Sequence, residues 1–111
     1  MKVIKKAKED VAVEPAHDGA GSRKLFVKED EIKNIQGITH GWLPVGGVFE
    51  WHKHDDCNEF MYVLSGSGVV RDDDGEYEFS TGDFFIFPIH EFHEQRNTGD
   101  SVAEFVFIRT K

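Results

Sequence analysis

The chain has 111 residues, which is the length of one compact domain. Its 21 acidic and 13 basic side chains give a net charge of −8, so nucleic acid or an anionic membrane surface would repel it. A single cysteine excludes a disulfide within the chain. No segment approaches the roughly 20 apolar residues of a membrane span, and the first residues lack the apolar core of a secretion signal. We therefore expect a cytoplasmic protein.

Residues 1–22 are predicted to form a polar N-terminal arm, and residues 23–111 the folded domain. The arm contains Pro15 and a polar cluster at residues 17–22, a composition that is typical of a loop. One short edge strand is expected at residues 11–13. His17 lies in this arm and receives no predicted role.

From Ile38 onward, short segments rich in Val, Ile, Phe, Tyr and Trp alternate with turns rich in Gly, Asp and Asn. The Asp-Gly pair at residues 74–75 indicates a tight hairpin, because it supplies the positive φ that such turns need. No segment shows the period of a long helix. The pattern predicts an antiparallel β-sandwich or barrel. The strands are expected at residues 48–54, 59–64, 84–87, 92–96 and 102–109.

Four side chains in this region are candidate ligands of one metal ion. Imidazole nitrogens and a carboxylate oxygen suit Fe, Mn, Ni, Co, Cu or Zn, whereas Mg and Ca prefer cages of oxygen. Alternation along a strand places His52 and His54 on one face, about 6.5–7 Å apart. Glu59 would lie opposite on the returning strand, and His93 must arrive from a distant strand. The predicted ligands are His52, His54, Glu59 and His93.

Two motifs contain these ligands, Gly46-x5-His52-x-His54-x4-Glu59-x6-Gly66 and Gly82-x5-Pro88-x4-His93-x3-Asn97. They resemble the two conserved motifs of the cupin superfamily, the small β-barrel proteins. The resemblance covers about half of the chain. It implies an all-β fold, an antiparallel double-stranded β-helix (jelly-roll barrel), with a divalent transition metal. It does not specify a reaction, because the superfamily hosts many unrelated chemistries.

The second motif departs from the family pattern at one position. His90 stands where the family usually has glycine, two residues after the proline. That position often requires a left-handed backbone, which histidine tolerates better than most residues. We expect a loop residue there rather than a fifth ligand.

Regular alternation also predicts which side chains line the pocket. Glu50 would face inward with His52, either hydrogen-bonding a ligand histidine or remaining solvated near the mouth. Met61 would form an apolar wall beside Glu59. Gln95 shares the face of His93 and could contact a substrate or metal-bound water.

Two further residues bear on the substrate. His40 is a candidate at the barrel mouth, although a core or surface position is the favoured alternative. Lys53 is the basic residue beside the ligands within the motifs, and it faces away from them. A phosphate-bearing or multiply anionic substrate is therefore less expected.

Cys57 lies in the turn between His54 and Glu59. The neighbouring Asp55 and Asp56 should raise its pKa, so we expect a reduced thiol without a role.

The side chains that alternate with the pocket set are aromatic. Together they would form an outward face larger than a soluble monomer usually exposes, which predicts a homodimer. The face comprises Phe49, Trp51, Phe60 and Tyr62.

Two functions remain open from the sequence. One is a metal-dependent enzyme of oxygenase, isomerase or lyase type that acts on a small polar organic molecule. The other is a non-catalytic module in which the metal anchors a small ligand for binding or sensing.

Overall fold

The structure, a computed structural model, describes residues 2–111. These residues form ten strands and two short 3₁₀ turns, the latter at Lys8–Asp10 and His17–Gly19. Within the described range, no helix is long and apolar enough to cross a bilayer. The strands are β1 Val13–Ala16, β2 Gly21–Val27, β3 Ile35–Leu43, β4 Val48–His52, β5 Asn58–Ser65, β6 Gly68–Asp72, β7 Gly75–Phe79, β8 Phe84–Phe87, β9 His93–Arg96 and β10 Ala103–Thr110.

Two antiparallel sheets face each other. The large sheet has the order β1-β2-β3-β10-β5-β8, and the small sheet has the order β4-β9-β6-β7. From β3 onward the chain passes repeatedly from one sheet to the other, with the β6–β7 hairpin kept in the small sheet. This is the connectivity of a jelly roll, so the predicted all-β, double-stranded β-helix is confirmed.

The core lies between the sheets because strand residues alternate between a packed and a solvated face. In β5 and β10, every second residue is buried. Phenylalanine supplies much of the packed volume, with Phe105 and Phe107 from the large sheet meeting Phe49 and Phe79 from the small one. The functional side chains share this inward face.

The N-terminal segment belongs to the large sheet. The edge strand expected at residues 11–13 is found at Val13–Ala16, where it pairs antiparallel with β2. The expected boundary between residues 22 and 23 lies inside β2. The connecting turn is tight, with positive φ of 49° at His17, 57° at Asp18 and 91° at Gly19. This turn brings His17 back towards the mouth of the barrel.

A β-bulge in β4 changes which side chains face inward. Phe49 pairs with Gln95 and His52 pairs with His93, so three steps along β4 match two steps along β9. The extra residue reverses the alternation between Phe49 and His52, and both face the interior. Phe49 is consequently a core residue and Glu50 is exposed. The prediction that Phe49 faces outward is wrong because it assumed regular alternation. For Glu50 the structure fits the predicted alternative of a solvated residue near the mouth, since it is exposed and lines an open cavity beside His52.

Left-handed backbone occurs at the loop that precedes β9. His90 has φ of 72°, as expected for the position where the family motif has glycine. Its side chain is mostly exposed, and Nδ1 lies 2.9 Å from a carboxylate oxygen of Asp55. His90 is therefore a loop residue and does not join the ligand cluster, as predicted.

Asn97, the last residue of the second motif, ties the loop after β9 to β3. It is buried, and its side-chain amide donates to the carbonyl oxygens of Leu43 at 2.9 Å and Ser101 at 2.8 Å. Its Oδ1 accepts from the backbone N–H of Gly99 at 3.0 Å. Removing this side chain leaves buried backbone groups without partners.

We expect Asn97→Ala to lower the free energy of unfolding by about 2–4 kcal/mol, because buried polar groups lose their hydrogen bonds. Urea denaturation followed by tryptophan fluorescence measures the change. The neighbouring Thr98 is exposed, so Thr98→Ala is a matched control that should shift stability by less than about 0.5 kcal/mol. Equal stability of the two variants would contradict this role of Asn97.

Candidate metal centre

The structure brings the four predicted ligands together at one end of the barrel. His52 ends β4, His54 lies in the following turn, Glu59 is in β5 and His93 begins β9. One potential ligand atom from each residue lies within 4.8 Å of all the others. Oε1 of Glu59 is 3.4 Å from Nε2 of His54 and 3.5 Å from Nε2 of His93. The cluster thus joins three imidazoles and one carboxylate around a common centre.

Backbone carbonyls determine which imidazole nitrogens face this centre. Nδ1 of His52 lies 2.6 Å from the carbonyl oxygen of Glu50, and Nδ1 of His93 lies 3.4 Å from that of Glu91. A carbonyl can only accept, so each Nδ1 carries the proton and each Nε2 keeps its lone pair. Among the described residues, the buried Nε2 atoms of His54 and His93 have no hydrogen-bond partner. These lone pairs fit a divalent transition metal, which prefers this donor set.

The protonation states also suit a cation. Burial opposes ionisation of Glu59, but His54 and His93, followed by Arg109, hold the pKa of its carboxyl well below the usual range. Burial lowers the pKa of His52 to about 4, although the Glu50 carbonyl opposes this. Glu59 raises the pKa of His54, whose proton therefore competes most with a metal. At neutral pH the centre offers a carboxylate and a neutral His52.

Residues 41–109 match the family model described as "Cupin domain". The chain is a cupin. A relative from Thermotoga maritima named "Oxalate-binding protein" is 33% identical over 84 residues, which cover 76% of this chain and 69% of that protein.

Solved structures share this fold at low sequence identity. A crystal structure of a predicted oxalate decarboxylase from Thermotoga maritima has a TM-score of 0.82 and 23% identity, and covers 96% of this chain and 98% of its own. A sugar phosphate isomerase from Silicibacter pomeroyi has a TM-score of 0.80 and 21% identity, and covers 97% of this chain and 76% of its own. These similarities concern the fold.

One cross-strand row of the large sheet supplies the ligand Glu59 and two residues that contact the ligands of the cupin's centre. Arg109 in β10 pairs with Gly37 on one side and with Glu59 on the other, and Glu59 pairs with Phe87 in β8. Phe87 stacks on the ring of His93 at 4.0 Å between centroids. Two groups in this row, Arg109 and Phe87, therefore contact predicted ligands.

Arg109 lies outside both motifs and adds a cation beside the ligands, which the expectation based on basic residues within the motifs did not consider. Its Nη1 is 3.6 Å from Oε2 of Glu59, the oxygen that faces away from the histidines. The motifs missed Arg109 because it is 50 residues from Glu59 in sequence. Alternation in β10 was the available signal, since Phe105, Phe107 and Arg109 share the inward face.

His17 is a second residue that sequence analysis missed. Its ring stacks on Phe49 at 4.4 Å and meets the ring of His52 edge-on at 4.6 Å. Burial is the main cause that lowers its pKa. No local pattern indicated this position, because the polar residues around His17 are typical of any loop.

His40 lies outside the cupin's pocket. Its neighbours Thr39 and Gly41 face the core, whereas His40 stacks on Trp42 at 4.1 Å on the outer face of the large sheet. Its Nε2 lies 3.3 Å from Glu104. The prediction of a pocket residue is wrong for His40, and the favoured surface alternative is right.

Gln95 and Met61 do face the interior. Both are almost completely buried, and Nε2 of Gln95 lies 3.9 Å from Sδ of Met61. The amide oxygen of Gln95 has no hydrogen-bond partner among the described residues. A buried acceptor without a partner is uncommon and indicates a place where a ligand or water binds.

Cys57 is also buried. Burial, with a smaller effect of Asp56, raises the pKa of its thiol to about 11. The predicted direction is confirmed, although burial contributes more than the neighbouring carboxylates. The thiol is therefore protonated at neutral pH and weakly nucleophilic.

Three cavities among the described residues border the ligand cluster. The largest, of about 510 Å³, is open to solvent and reaches His52. A second, of about 200 Å³, reaches His93 and is mostly apolar. The third, of about 30 Å³, has polar and apolar walls and reaches Glu59 from the side of Arg109 and His17.

We expect His52→Ala and His93→Ala to lose most of the bound divalent transition metal, because each removes a nitrogen from the centre. Elemental analysis of the purified variants measures metal per chain. His90→Ala is the matched control, since it removes an exposed histidine and should retain the metal. Full metal content in both ligand variants would contradict the assignment of this centre.

Proposed function

We propose that this cupin is a metal-dependent enzyme acting on a small polar organic molecule, with chemistry of the oxygenase, isomerase or lyase type. His52, His54, Glu59 and His93 would hold the metal. The observation that carries the proposal is the convergence of three imidazoles and one carboxylate on one centre that cavities border. A divalent transition metal would supply Lewis-acid or redox chemistry there, with coordination positions left for substrate or water.

The relatives support a small, oxygen-rich ligand. One is named for binding oxalate, and the solved neighbours include a predicted oxalate decarboxylase and a sugar phosphate isomerase. All three names refer to compact molecules whose oxygen atoms can ligate a metal.

Gln95 would orient the ligand in this cupin. Within residues 2–111 its buried amide oxygen has no hydrogen-bond partner, so it can accept a hydrogen bond from a hydroxyl group or water. Met61 is buried beside it, with Sδ 3.9 Å from Nε2 of Gln95, and helps to keep bulk water out. An orienting amide beside apolar walls is the usual composition of a small-molecule site.

A non-catalytic binding module is the second candidate. The relative named "Oxalate-binding protein" favours this alternative. The same ligand set would then anchor a small molecule without turnover. Oxygen uptake and product analysis with the native metal distinguish the two functions.

Nitric oxide tests whether the metal keeps an exchangeable position. We expect nitric oxide to bind the Fe(II)-loaded protein under anaerobic conditions and to give a new spin-resonance signal, because four protein ligands leave about two positions of a six-coordinate ion free. An unchanged spectrum, with a native ion that proves to be zinc ligated only by protein, would contradict the oxygenase-type function.

Gln95→Ala provides a second readout in the same experiment. It should retain the metal and the nitric oxide signal, because Gln95 is not among the four ligands. It should alter turnover or ligand affinity. Loss of metal in Gln95→Ala would instead indicate a structural role.

We also propose that this cupin forms a homodimer, through a face that differs from the sequence prediction. The predicted set does not form one surface, since Phe49 is in the core and Trp51 stacks on Phe92 outside the small sheet. The outer faces of β5 and β8 instead carry adjacent apolar side chains, and β8 is an edge strand that can attract pairing. The exposed members are Tyr62, Leu64, Phe84 and Ile86, with Phe60 partly buried beside them.

We propose that a second copy of the chain covers this face, because few charged side chains would meet in such a contact. Two chains of net charge −8 repel each other, so stable association requires a contact where acidic groups are scarce. The five apolar residues on the outer face of β5 and β8 meet this condition. A twofold arrangement would place the same patch on both sides of the interface.

Light scattering at micromolar concentration should give about twice the chain mass for the wild-type protein. We expect Tyr62→Glu to give the monomer mass, because it places a charge within the proposed interface. Tyr77 is equally exposed but lies in the small sheet, so Tyr77→Glu is a matched control that should remain dimeric. A monomeric wild-type protein would contradict the proposal.

A further inference from the structure

The guanidinium of Arg109 is nearly buried but poorly paired. Its side chain is 14% exposed. Within residues 2–111 the guanidinium makes one hydrogen bond, from Nη1 to Oγ1 of Thr39 at 3.4 Å. Glu59 lies slightly farther away, at 3.6 Å from the same nitrogen. A guanidinium has five N–H donors, so several remain available to a ligand.

The strand beside Arg109 is shaped to hold the guanidinium. Gly37 pairs with Arg109 across the strands, and a Cβ atom at Gly37 would lie 2.6 Å from Nη2. Such a contact is too short, so the absence of a side chain at Gly37 allows the guanidinium to lie against β3. This placement directs Arg109 to the smallest of the three cavities.

The size of that cavity limits what the guanidinium can bind. It measures about 30 Å³ and is lined by Arg109, Thr39, Glu59 and His17, among others. This volume holds about two water molecules, which is close to the space of one carboxylate group. Arg23 also lines the cavity, but Glu14 accepts a hydrogen bond from it at 2.7 Å and offsets its charge.

Charge balance favours an anion at this position. With a divalent cation bound, the cation and Arg109 outweigh the one carboxylate of Glu59, because the histidine ligands are neutral when they bind a metal. An excess of positive charge in a buried site is costly unless a negative group offsets it. A substrate with one or two negative charges supplies that group.

We propose that Arg109 recognises the carboxylate of a small mono- or dicarboxylate, while the rest of the molecule faces the ligand cluster. The planar guanidinium matches a carboxylate with two parallel hydrogen bonds, and the small cavity favours this planar group over a bulkier phosphate group. The inference rests on the proposed function and narrows its substrate class. For a dicarboxylate, it reverses the expectation, drawn from the motifs, that a multiply anionic substrate is disfavoured.

A competing role for Arg109 is to position Glu59 alone. Its guanidinium would then hold Oε2 of Glu59 and leave Oε1 facing the histidines. Such a role predicts weaker metal binding after substitution. Anion recognition predicts weaker carboxylate binding while the metal is retained, so the two roles differ in a measurable way.

The test compares oxalate with oxamide, its neutral analogue, on Fe(II)-loaded protein by anaerobic calorimetry. We expect Arg109→Gln to weaken oxalate binding by about 10- to 100-fold, because it removes charge-assisted hydrogen bonds. Oxamide affinity and metal content should stay close to wild type. Arg109→Lys should recover part of the oxalate affinity, since lysine restores the positive charge but not the paired N–H donors of a guanidinium.

Two further variants sharpen the comparison. Arg71→Gln makes the same charge change on the outer face, where Arg71 lies over Trp51 at 5.0 Å, and should bind oxalate like wild type. Gly37→Ala keeps every charge and displaces the guanidinium, so it should weaken oxalate more than oxamide. If Arg109→Gln loses its metal, Gly37→Ala still distinguishes anion recognition from positioning of Glu59, because it keeps the charge of Arg109.

Three results would overturn the inference. The first is wild-type oxalate affinity in metal-loaded Arg109→Gln. The second is an equal loss of oxalate and oxamide binding in Arg109→Gln and Gly37→Ala, which would indicate positioning of Glu59. The third is a wild-type protein that responds to nitric oxide but binds neither oxalate nor acetate. If the wild-type protein does not respond to nitric oxide, the proposed function fails, and this outcome is distinct from the three results that would overturn the role of Arg109.

Discussion

The register of one cross-strand row in the large sheet determines which groups surround the candidate metal centre of this cupin. Gly37, Arg109, Glu59 and Phe87 are consecutive partners across β3, β10, β5 and β8. Gly37 leaves space for the guanidinium of Arg109, which supplies a positive charge. Glu59 supplies a carboxylate, and Phe87 stacks on the ring of His93. A slip of one residue in any pairing would turn one of these side chains to the opposite face. The packing of the phenylalanine core fixes this register, so the geometry of the site depends on the same contacts that stabilise the fold.

In the small sheet, the β-bulge in β4 brings His52 to the same centre. Without the bulge in β4, Phe49 and His52 would lie on opposite faces, and the core would lose its largest contribution from that strand. The bulge allows Phe49 to fill the core and His52 to reach the carboxylate from the same strand. It also places the carbonyl oxygen of Glu50 at Nδ1 of His52, which leaves Nε2 free for a metal. Packing and ligand geometry thus depend on the same local distortion.

Sequence and structure agree where the information is local. Alternating segments and turn residues were sufficient for an antiparallel barrel, and the motifs selected four residues that the fold brings within 4.8 Å. The outward assignment of Phe49 failed because regular alternation was extended through a bulge, and the open alternatives for Glu50 and His40 were decided only by the sheets around them. Arg109 and His17 were missed because their proximity to Glu59 and His52 results from strand pairing and from one left-handed turn. Neither of these is encoded in a short motif.

The sequence by itself determined the fold class, the family resemblance and the ligand candidates, because these depend on residue type and on spacing along single strands. The tertiary structure decided which other groups surround the centre, which charge balance they create and which aromatic face remains exposed. Burial and strand register control these properties, and both depend on contacts between residues far apart in sequence. Arg109 illustrates the difference, since its position in β10 gives an inward face, while only the pairing with β5 places its charge beside a buried carboxylate.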